Sequence, residues 1–133
     1  MSLDYGGGLC QLSSIIYHLS IIAGMSIVER HNHSVDIYND EDRFTPLGAD
    51  ATVAYGYKDL RVKNEYSFPV RFNFEIINDN LIGSVCSTQY IEKRDIVFNK
   101  DMQEAYVKVS TNVILPGKSI LLGVSTYQLS KNR

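Results

Sequence analysis

Three residues in the front half of the chain could together perform nucleophilic chemistry: Cys10, His33 and Asp50. Cys10 follows a run of glycines at residues 6–8, which allows other groups to approach closely, and an apolar helical pattern begins at the cysteine. A thiol at a helix N-terminus loses its proton more easily, and the thiolate is both a nucleophile and a metal ligand. These residue types therefore predict a thiolate-based site.

A nucleophilic cysteine needs a base, and the base needs a carboxylate that fixes its tautomer. His33 lies on the strand predicted after the helix and Asp50 opens the next strand, so the three side chains would meet in one cleft. The amide of Gln11 and the N–H groups of the helix start would stabilise an oxyanion. This order of helix, strand and strand is similar to that of transglutaminase-like and papain-like cysteine enzymes. The predicted catalytic residues are Cys10, His33, Asp50 and Gln11.

A metal centre is the competing interpretation, because His31 and His33 would share one face of the predicted strand. Cys10 or Asp50 would complete such a site. A histidine pair of this spacing is weakly specific, however, and no second cysteine or further histidine lies at ligand spacing. We therefore rank the metal site below the cysteine site and predict no cofactor.

A purely structural interpretation also stays open at this point. In it the glycine run serves close packing, Cys10 is a small buried residue, and Arg30 forms a buried ion pair with Asp50. The glycines, the thiol and the two histidines cluster within one short stretch, however, and this clustering favours a functional site.

The elements that would position these residues follow from the apolar pattern. Apolar residues recur at helical spacing from Cys10 to Gly24, and Gly24 is well placed to end the helix. β-Branched residues predict a strand from Ser26 to Ile37. Alternation and turn signals predict further strands at 49–55, 59–62, 70–76, 81–86, 96–98, 105–115 and 119–129. The predicted fold is α+β, with one N-terminal amphipathic helix packed on an antiparallel sheet and a β-rich C-terminal half.

Composition sets limits on the function. The chain has 133 residues and a net charge of −2, which gives no electrostatic reason to expect a nucleic-acid partner. The N-terminus has no signal-peptide pattern, and the longest apolar run is too short to span a bilayer. Two cysteines do not make a disulfide framework, and we expect both Cys10 and Cys86 to be free.

Several motifs resemble the VanW family when they are taken together. They are GGGLCQLSS at residues 6–14, VERHNHS at 28–34, PLGADATV at 46–53, YG at 55–56 and DLRVKN at 59–64. The resemblance covers about residues 5–85, and the joint occurrence of these motifs is highly specific. It implies one VanW-like domain over 1–133, with a motif-bearing core at about 5–85 and a β-rich extension at about 89–133. It also implies that the chain is a piece of a longer protein.

The resemblance assigns roles to individual positions. Carried over one by one, the family's marked residues are Gly6, Gly7, Gly8, Cys10, Gln11, Arg30, His33, Gly48, Asp50 and Asp59. His31 belongs to the motif less firmly, which favours His33 as the functional imidazole. Beside the four catalytic residues, the predicted binding residues are Gly6, Gly7, Gly8, Arg30, His31 and Asp59.

Family members look like accessory proteins of vancomycin B-type resistance clusters and cell-envelope proteins of Gram-positive bacteria. The resemblance thus implies a parent protein of the cell envelope or exterior, with peptidoglycan, its precursors or its peptides as partner. Two classes of function are compatible with it. One is a thiol hydrolase or acyltransferase that acts on peptide or amide bonds, and the other is a non-catalytic module that binds cell-wall material or a partner in the same cleft.

Overall fold

The computed structural model describes residues 7–36 and 45–129, and within them it contains one helix and eight strands. Helix α1 spans Gly7–Ile22. Its C-terminal end is closed by Gly24, which has a φ of 76°, and by the Arg94 N–H, which donates to the Ile22 carbonyl at 2.9 Å. No helix in this part of the chain is long and apolar enough to cross a membrane.

The strands form three separate sheets. Their bounds are β1 Ser26–Glu29, β2 Val35–Asp36, β3 Arg61–Lys63, β4 Val70–Ile77, β5 Asn80–Ser87, β6 Asp95–Met102, β7 Tyr106–Leu115 and β8 Lys118–Leu129. β1 pairs with β3 and β4 pairs with β5, while the largest sheet has the order β2-β8-β7-β6. All pairs are antiparallel except β2 with β8, which run parallel.

Two hairpins form where the sequence places turn residues. Asn78 and Asp79 join β4 to β5 with φ values of 50° and 64°, a conformation that asparagine and aspartate tolerate better than most residues. Pro116 and Gly117 join β7 to β8. Both hairpins confirm the strands predicted there, because alternating apolar residues set the register and a turn signal sets the reversal.

The core has two clusters of buried side chains, and one further side chain packs against both. One cluster consists of Leu47, Val107, Val109 and Tyr127, and the other of Tyr17, Ile21 and Ala51. Phe98 on β6 packs against both clusters, so the C-terminal sheet and the helix belong to a continuous apolar interior. The predicted α+β class, with an N-terminal helix packed on strands, is confirmed, although three sheets stand where one was expected.

Two predicted strands are wrong in the region of the site. The strand expected from Ser26 to Ile37 is interrupted at residues 30–34, and its last residue lies outside the described part of the chain. Residues 49–55 form no continuous strand; their backbone bonds are an isolated bridge between Ala54 and Lys58 and a bond from the Thr52 N–H to the His31 carbonyl at 2.8 Å. The backbone of residues 50 and 51 is hydrogen-bonded by side chains, those of Arg30, Ser13 and Ser14, in place of a neighbouring strand.

The serines of α1 hold the stretch that follows Asp50. The Ser13 hydroxyl donates to the Ala51 carbonyl at 2.5 Å, and the Ala51 N–H donates to the Ser14 hydroxyl at 2.9 Å. Both serines are buried, so these bonds satisfy groups that water cannot reach. The backbone around Asp50 is therefore fastened directly to the helix that carries Cys10.

Candidate functional site

His33 and Asp50 form the best-defined contact of the site. The ring Nδ1 of His33 donates to Asp50 Oδ2 at 2.7 Å, and the backbone N–H of His33 donates to the same oxygen at 2.7 Å. The Asp50 side chain is 13% exposed and the His33 side chain 37%. A buried carboxylate thus fixes one face of the imidazole and leaves Nε2 as the nitrogen available to another group.

The second oxygen of Asp50 is bound by a residue from the far end of the chain. The Tyr127 hydroxyl, on β8, donates a hydrogen bond to Asp50 Oδ1. The Arg30 Nη2 atom lies 3.5 Å from the same oxygen. Both carboxylate oxygens therefore have partners, as a buried charge requires.

Cys10 lies in the first turn of α1, on the side of the helix that faces this pair. Its sulfur is 3.5 Å from the Thr52 hydroxyl, and the Val53 N–H also hydrogen-bonds to it. His33 lies close enough to interact with the thiol both by hydrogen bonding and by charge. The structure thus brings together Cys10, His33 and Asp50, three residues that stand 40 positions apart at most in the sequence.

The surroundings of Cys10 and His33 shift both groups towards their charged forms. Burial works against ionisation of Cys10, but the hydrogen bonds from Thr52, Val53 and His33 outweigh it and lower the pKa of the thiol. The hydrogen bond to Asp50 raises the pKa of His33 above its usual value, and the nearby thiol adds to this effect. Opposite shifts in a thiol and an imidazole stabilise the thiolate and the imidazolium together.

Asp50 itself stays ionised in this environment. Burial would raise the pKa of its carboxyl, but the hydrogen bonds from the His33 ring, the His33 backbone and Tyr127 and the charge of Arg30 lower it overall. The carboxylate therefore keeps the negative charge that supports an imidazolium.

Arg30, which the resemblance marked as a binding residue, is directed at the protein interior. Its guanidinium donates to the Asp50 carbonyl at 2.9 and 2.7 Å, to the Gly48 carbonyl at 2.9 Å and to the Ser125 hydroxyl at 2.5 Å. The Tyr17 ring covers it, with the ring centroid 4.6 Å from Cζ. The side chain is 12% exposed. Arg30 thus ties the backbone of residues 48–50 to β8.

The two histidines of the predicted metal site have different partners. His31 Nε2 bonds Glu29 Oε2 at 2.9 Å, whereas His33 bonds Asp50. The prediction that they share a strand face is wrong, because both histidines lie in the interruption of the strand at residues 30–34. Within residues 7–36 and 45–129, no group of three or more potential ligands is placed to hold a metal ion.

His31 and Asp59 instead meet at a second carboxylate. Glu29 Oε2 accepts from the Asp59 N–H at 3.0 Å, and the hydrogen bond from His31 lowers the pKa of Glu29. Asp59 Oδ1 accepts from the Leu60 N–H at 2.9 Å. These contacts organise the loop before β3, and the binding roles predicted for His31 and Asp59 stay predictions.

The glycine run lies partly in the helix. Gly7 and Gly8 belong to the first turn of α1, where backbone N–H groups have no partner inside the helix, while Gly6 lies outside the described residues. Gln11 follows Cys10 in the same helix and is partly buried. Their predicted roles at an anion or oxyanion stay predictions.

An open groove of about 810 Å³ runs between α1 and residues 53–62, and its lining includes Val53, the residue whose N–H hydrogen-bonds to the Cys10 sulfur. Leu12, Ile16 and Val53 form part of its apolar lining, and Tyr55 and Tyr57 stand at its rim. Both tyrosines are almost fully exposed, which is unusual for large aromatic side chains. The groove can accommodate a short chain molecule.

Sequence reasoning missed the residues that β8 brings to the site. Tyr127 and Ser125 contact Asp50 and Arg30 across 77 and 95 positions of the chain. The strand itself was predicted, but no local signal indicated what its inward-facing side chains meet. Thr52, the hydroxyl beside the sulfur, was part of a recognised motif without an assigned role.

The fold and the site define an α+β domain in which a helix-borne cysteine, a histidine and a buried aspartate converge. The family described as VanW like protein matches residues 1–86, and the chain belongs to the VanW family. The resemblance seen in the motifs is thereby confirmed.

Two curated relatives extend the comparison. The chain is 32% identical over 94 residues to an uncharacterised protein of Bacillus subtilis (strain 168), YoaR; the match covers 71% of this chain and 29% of the relative. It is 25% identical over 108 residues to the vancomycin B-type resistance protein VanW of Enterococcus faecalis (strain ATCC 700802 / V583), with 81% of this chain and 38% of the relative covered. The chain thus spans about a third of the length of these relatives. No solved structure matches it.

Proposed function

We propose that this domain is a cysteine-dependent hydrolase or acyltransferase that acts on peptide or amide bonds of cell-wall peptides. The observation that carries the proposal is the arrangement of Asp50, His33 and Cys10, in which a buried carboxylate bonds the imidazole at 2.7 Å and the imidazole interacts with the thiol. Nucleophilic catalysis by cysteine needs this order of nucleophile, base and orienting carboxylate.

The proposed reaction has two steps, formation and breakdown of a thioester, and Cys10 and His33 act in both. The Cys10 thiolate attacks the carbonyl carbon, the His33 imidazolium gives its proton to the leaving nitrogen as the C–N bond breaks, and a thioester forms. Water, or the amine of an acceptor, then attacks the thioester while His33 takes its proton. The C–S bond breaks, the acid or the new amide leaves, and the thiolate and imidazolium are restored.

Two features support a substrate of peptide character. The groove along α1 has an apolar lining and a rim with Tyr55, Tyr57 and Lys58, which suits a short chain that carries both apolar and polar groups. The free N–H groups at the start of α1 lie one turn or less from Cys10 and would stabilise the oxyanion. The name of the Enterococcus faecalis relative supports cell-wall material as the source and the cell envelope as the location.

Alkylation of Cys10 tests the activated thiol directly. We expect iodoacetamide to label Cys10 at a pH below the range of an ordinary thiol, and the Cys86→Ser variant isolates the Cys10 signal. His33→Ala should move the Cys10 profile upward. An ordinary profile for Cys10 in the unchanged protein would contradict the proposal.

Turnover is tested with soluble peptidoglycan fragments and mass spectrometry of the products. We expect cleaved or transferred peptides with the unchanged protein and with Cys86→Ser, and none with Cys10→Ser. If fragments bind but are not converted, and Cys10 labels as an ordinary thiol, the domain is a binding module. The exposed Tyr55 and Tyr57 beside the groove are the observation that favours this second function.

A further inference from the structure

The β7–β8 hairpin reaches the site although it lies beyond the residues that match the family. Tyr127 on β8 is 1% exposed and packs in the cluster of Leu47, Val107 and Val109. Its hydroxyl donates to Asp50 Oδ1, the carboxylate oxygen that His33 does not use. One carboxylate is therefore held from two sides, by the base on one oxygen and by a rigid core residue on the other.

The hydroxyl of Tyr127 can act only as a donor to Asp50. Burial raises the pKa of this tyrosine well above its usual value, and the charge of Asp50 raises it further, so the hydroxyl keeps its proton. A hydrogen bond from a neutral donor to a buried carboxylate is strong and directional. The bond stabilises the charged carboxylate, and because the tyrosine ring is packed in the core it also fixes the position of the carboxylate.

β8 also holds the segment that carries the base. The Asn32 amide donates to the Thr126 carbonyl at 2.9 Å, and the Gln128 N–H donates to the Ser34 carbonyl at 2.8 Å. These bonds lie on either side of His33 along the chain. The Ser125 hydroxyl accepts from Arg30 at 2.5 Å and also hydrogen-bonds to Tyr127. One strand thus positions the base, its carboxylate and the arginine beside them.

We propose that Tyr127 is a positioning residue of the site, whose hydroxyl holds Asp50 in the orientation in which Oδ2 faces His33 Nδ1. The inference rests on the proposed function in so far as His33 is the base. Tyr127 acts through Asp50 and touches neither the thiol nor the groove, so it takes no direct part in the reaction.

Positioning and charge predict opposite changes when the hydroxyl is removed. If the Asp50 carboxylate stayed in place, loss of a donor would leave its charge less neutralised, and the pKa of His33 would rise. If the hydroxyl positions the carboxylate, its loss lets Asp50 turn away and the pKa of His33 falls. The groups that act on the His33 ring from its surroundings are Asp50 and Cys10, and Arg30 acts on it through Asp50.

The experiment measures the pKa of His33 by NMR titration in the unchanged protein, Tyr127→Phe and Asp50→Asn. We expect Tyr127→Phe to lower it by about one pH unit, in the direction of Asp50→Asn. Tyr127→Phe added to Asp50→Asn should cause no further change, because both act through one carboxylate. Tyr66→Phe is the matched control, since it removes a tyrosine hydroxyl that donates to the Ala23 carbonyl at 2.6 Å, away from Asp50.

An unchanged or raised pKa of His33 in Tyr127→Phe would overturn the inference. If that variant does not fold, Ser125→Ala is measured in its place, with a smaller fall expected and the same contrary outcome. Alkylation of Cys10 on the same proteins separates this result from the proposed function. An ordinary thiol profile in the unchanged protein would contradict the catalytic proposal and leave the inference about Tyr127 unaffected. The titration of His33 decides the role of Tyr127 in either case.

Discussion

One carboxylate oxygen of Asp50 accepts both the ring Nδ1–H and the backbone N–H of His33, each at 2.7 Å. The two bonds fix the imidazole relative to its own main chain, so the ring cannot rotate without breaking a bond to a buried charge. A base that is held in this way is oriented before any substrate arrives.

Asp50→Asn tests this relationship with little change in size. We expect the pKa of His33 to fall and the midpoint of Cys10 alkylation to rise by about one to two pH units, because the imidazolium loses its charged partner. The measurement is alkylation across pH, followed by mass spectrometry. Asp59→Asn is the control, since Asp59 bonds only the Leu60 backbone among the contacts seen at its carboxylate. A lowered melting temperature with an unchanged labelling profile would point to a structural role.

The pH dependence of stability should show both shifted groups. The pKa of His33 is raised, so its contribution is complete below the unfolded value of about 6.5 and is lost as the pH rises through the folded value. The pKa of Asp50 is lowered, so its contribution is complete above about 3.9 and is lost as the pH falls. Melting temperatures should therefore be highest between these values. In His33→Ala the fall in melting temperature at higher pH should become smaller. A melting-temperature profile identical to that of the unchanged protein would contradict a stabilising role for the His33 imidazolium.

Arg30→Lys should destabilise the fold by about 2–3 kcal/mol. A lysine ammonium cannot reach the Gly48 and Asp50 carbonyls and the Ser125 hydroxyl at the same time, so buried acceptors lose their donors. Urea unfolding measures the effect, and Arg71→Lys on the exposed side of β4 is the control. Equal unfolding midpoints for the two variants would show that the buried contacts of Arg30 contribute little.

Gly48→Ala should be more harmful than Gly117→Ala. Both glycines have positive φ, 98° and 75°, so each substitution costs about 1–2 kcal/mol of backbone strain. A methyl group at Gly48 would also lie 2.6 Å from Val109 Cγ1, whereas nothing lies within 4 Å at Gly117. We expect Gly48→Ala to cost about 1–3 kcal/mol more in thermal unfolding. Equal losses would mean that β7 yields to the added methyl group.

Much of the β structure could be predicted from local pattern. The hairpin of β4 and β5 combines alternating residues with the turn at Asn78 and Asp79, and both signals act over a few positions. The interruption after Glu29 could not be read in this way. β-Branched residues lie on both sides of residues 30–34, but the side chains of Arg30, Asn32 and His33 bond partners 17 to 95 positions away, which a local pattern does not contain.

The residues of the candidate site could be predicted from the sequence, but the residues that surround them could not. Cys10, His33 and Asp50 could be selected because their residue types suit one reaction, and the structure places them together. The bond from Tyr127 could not be predicted, because an inward-facing tyrosine on a late strand is an ordinary core residue until its partner is known.

The parallel pairing of β2 with β8 determines how this domain can be cut. A fragment that ends at residue 86, where the family match ends, keeps Cys10, His33 and Asp50 but removes the partner strand of β2 and the hydroxyl on Asp50. Such a fragment would carry the recognisable motifs without the support that shapes them. The stretch that matches the family is therefore smaller than the set of strands that supports the site, and expression boundaries belong after β8.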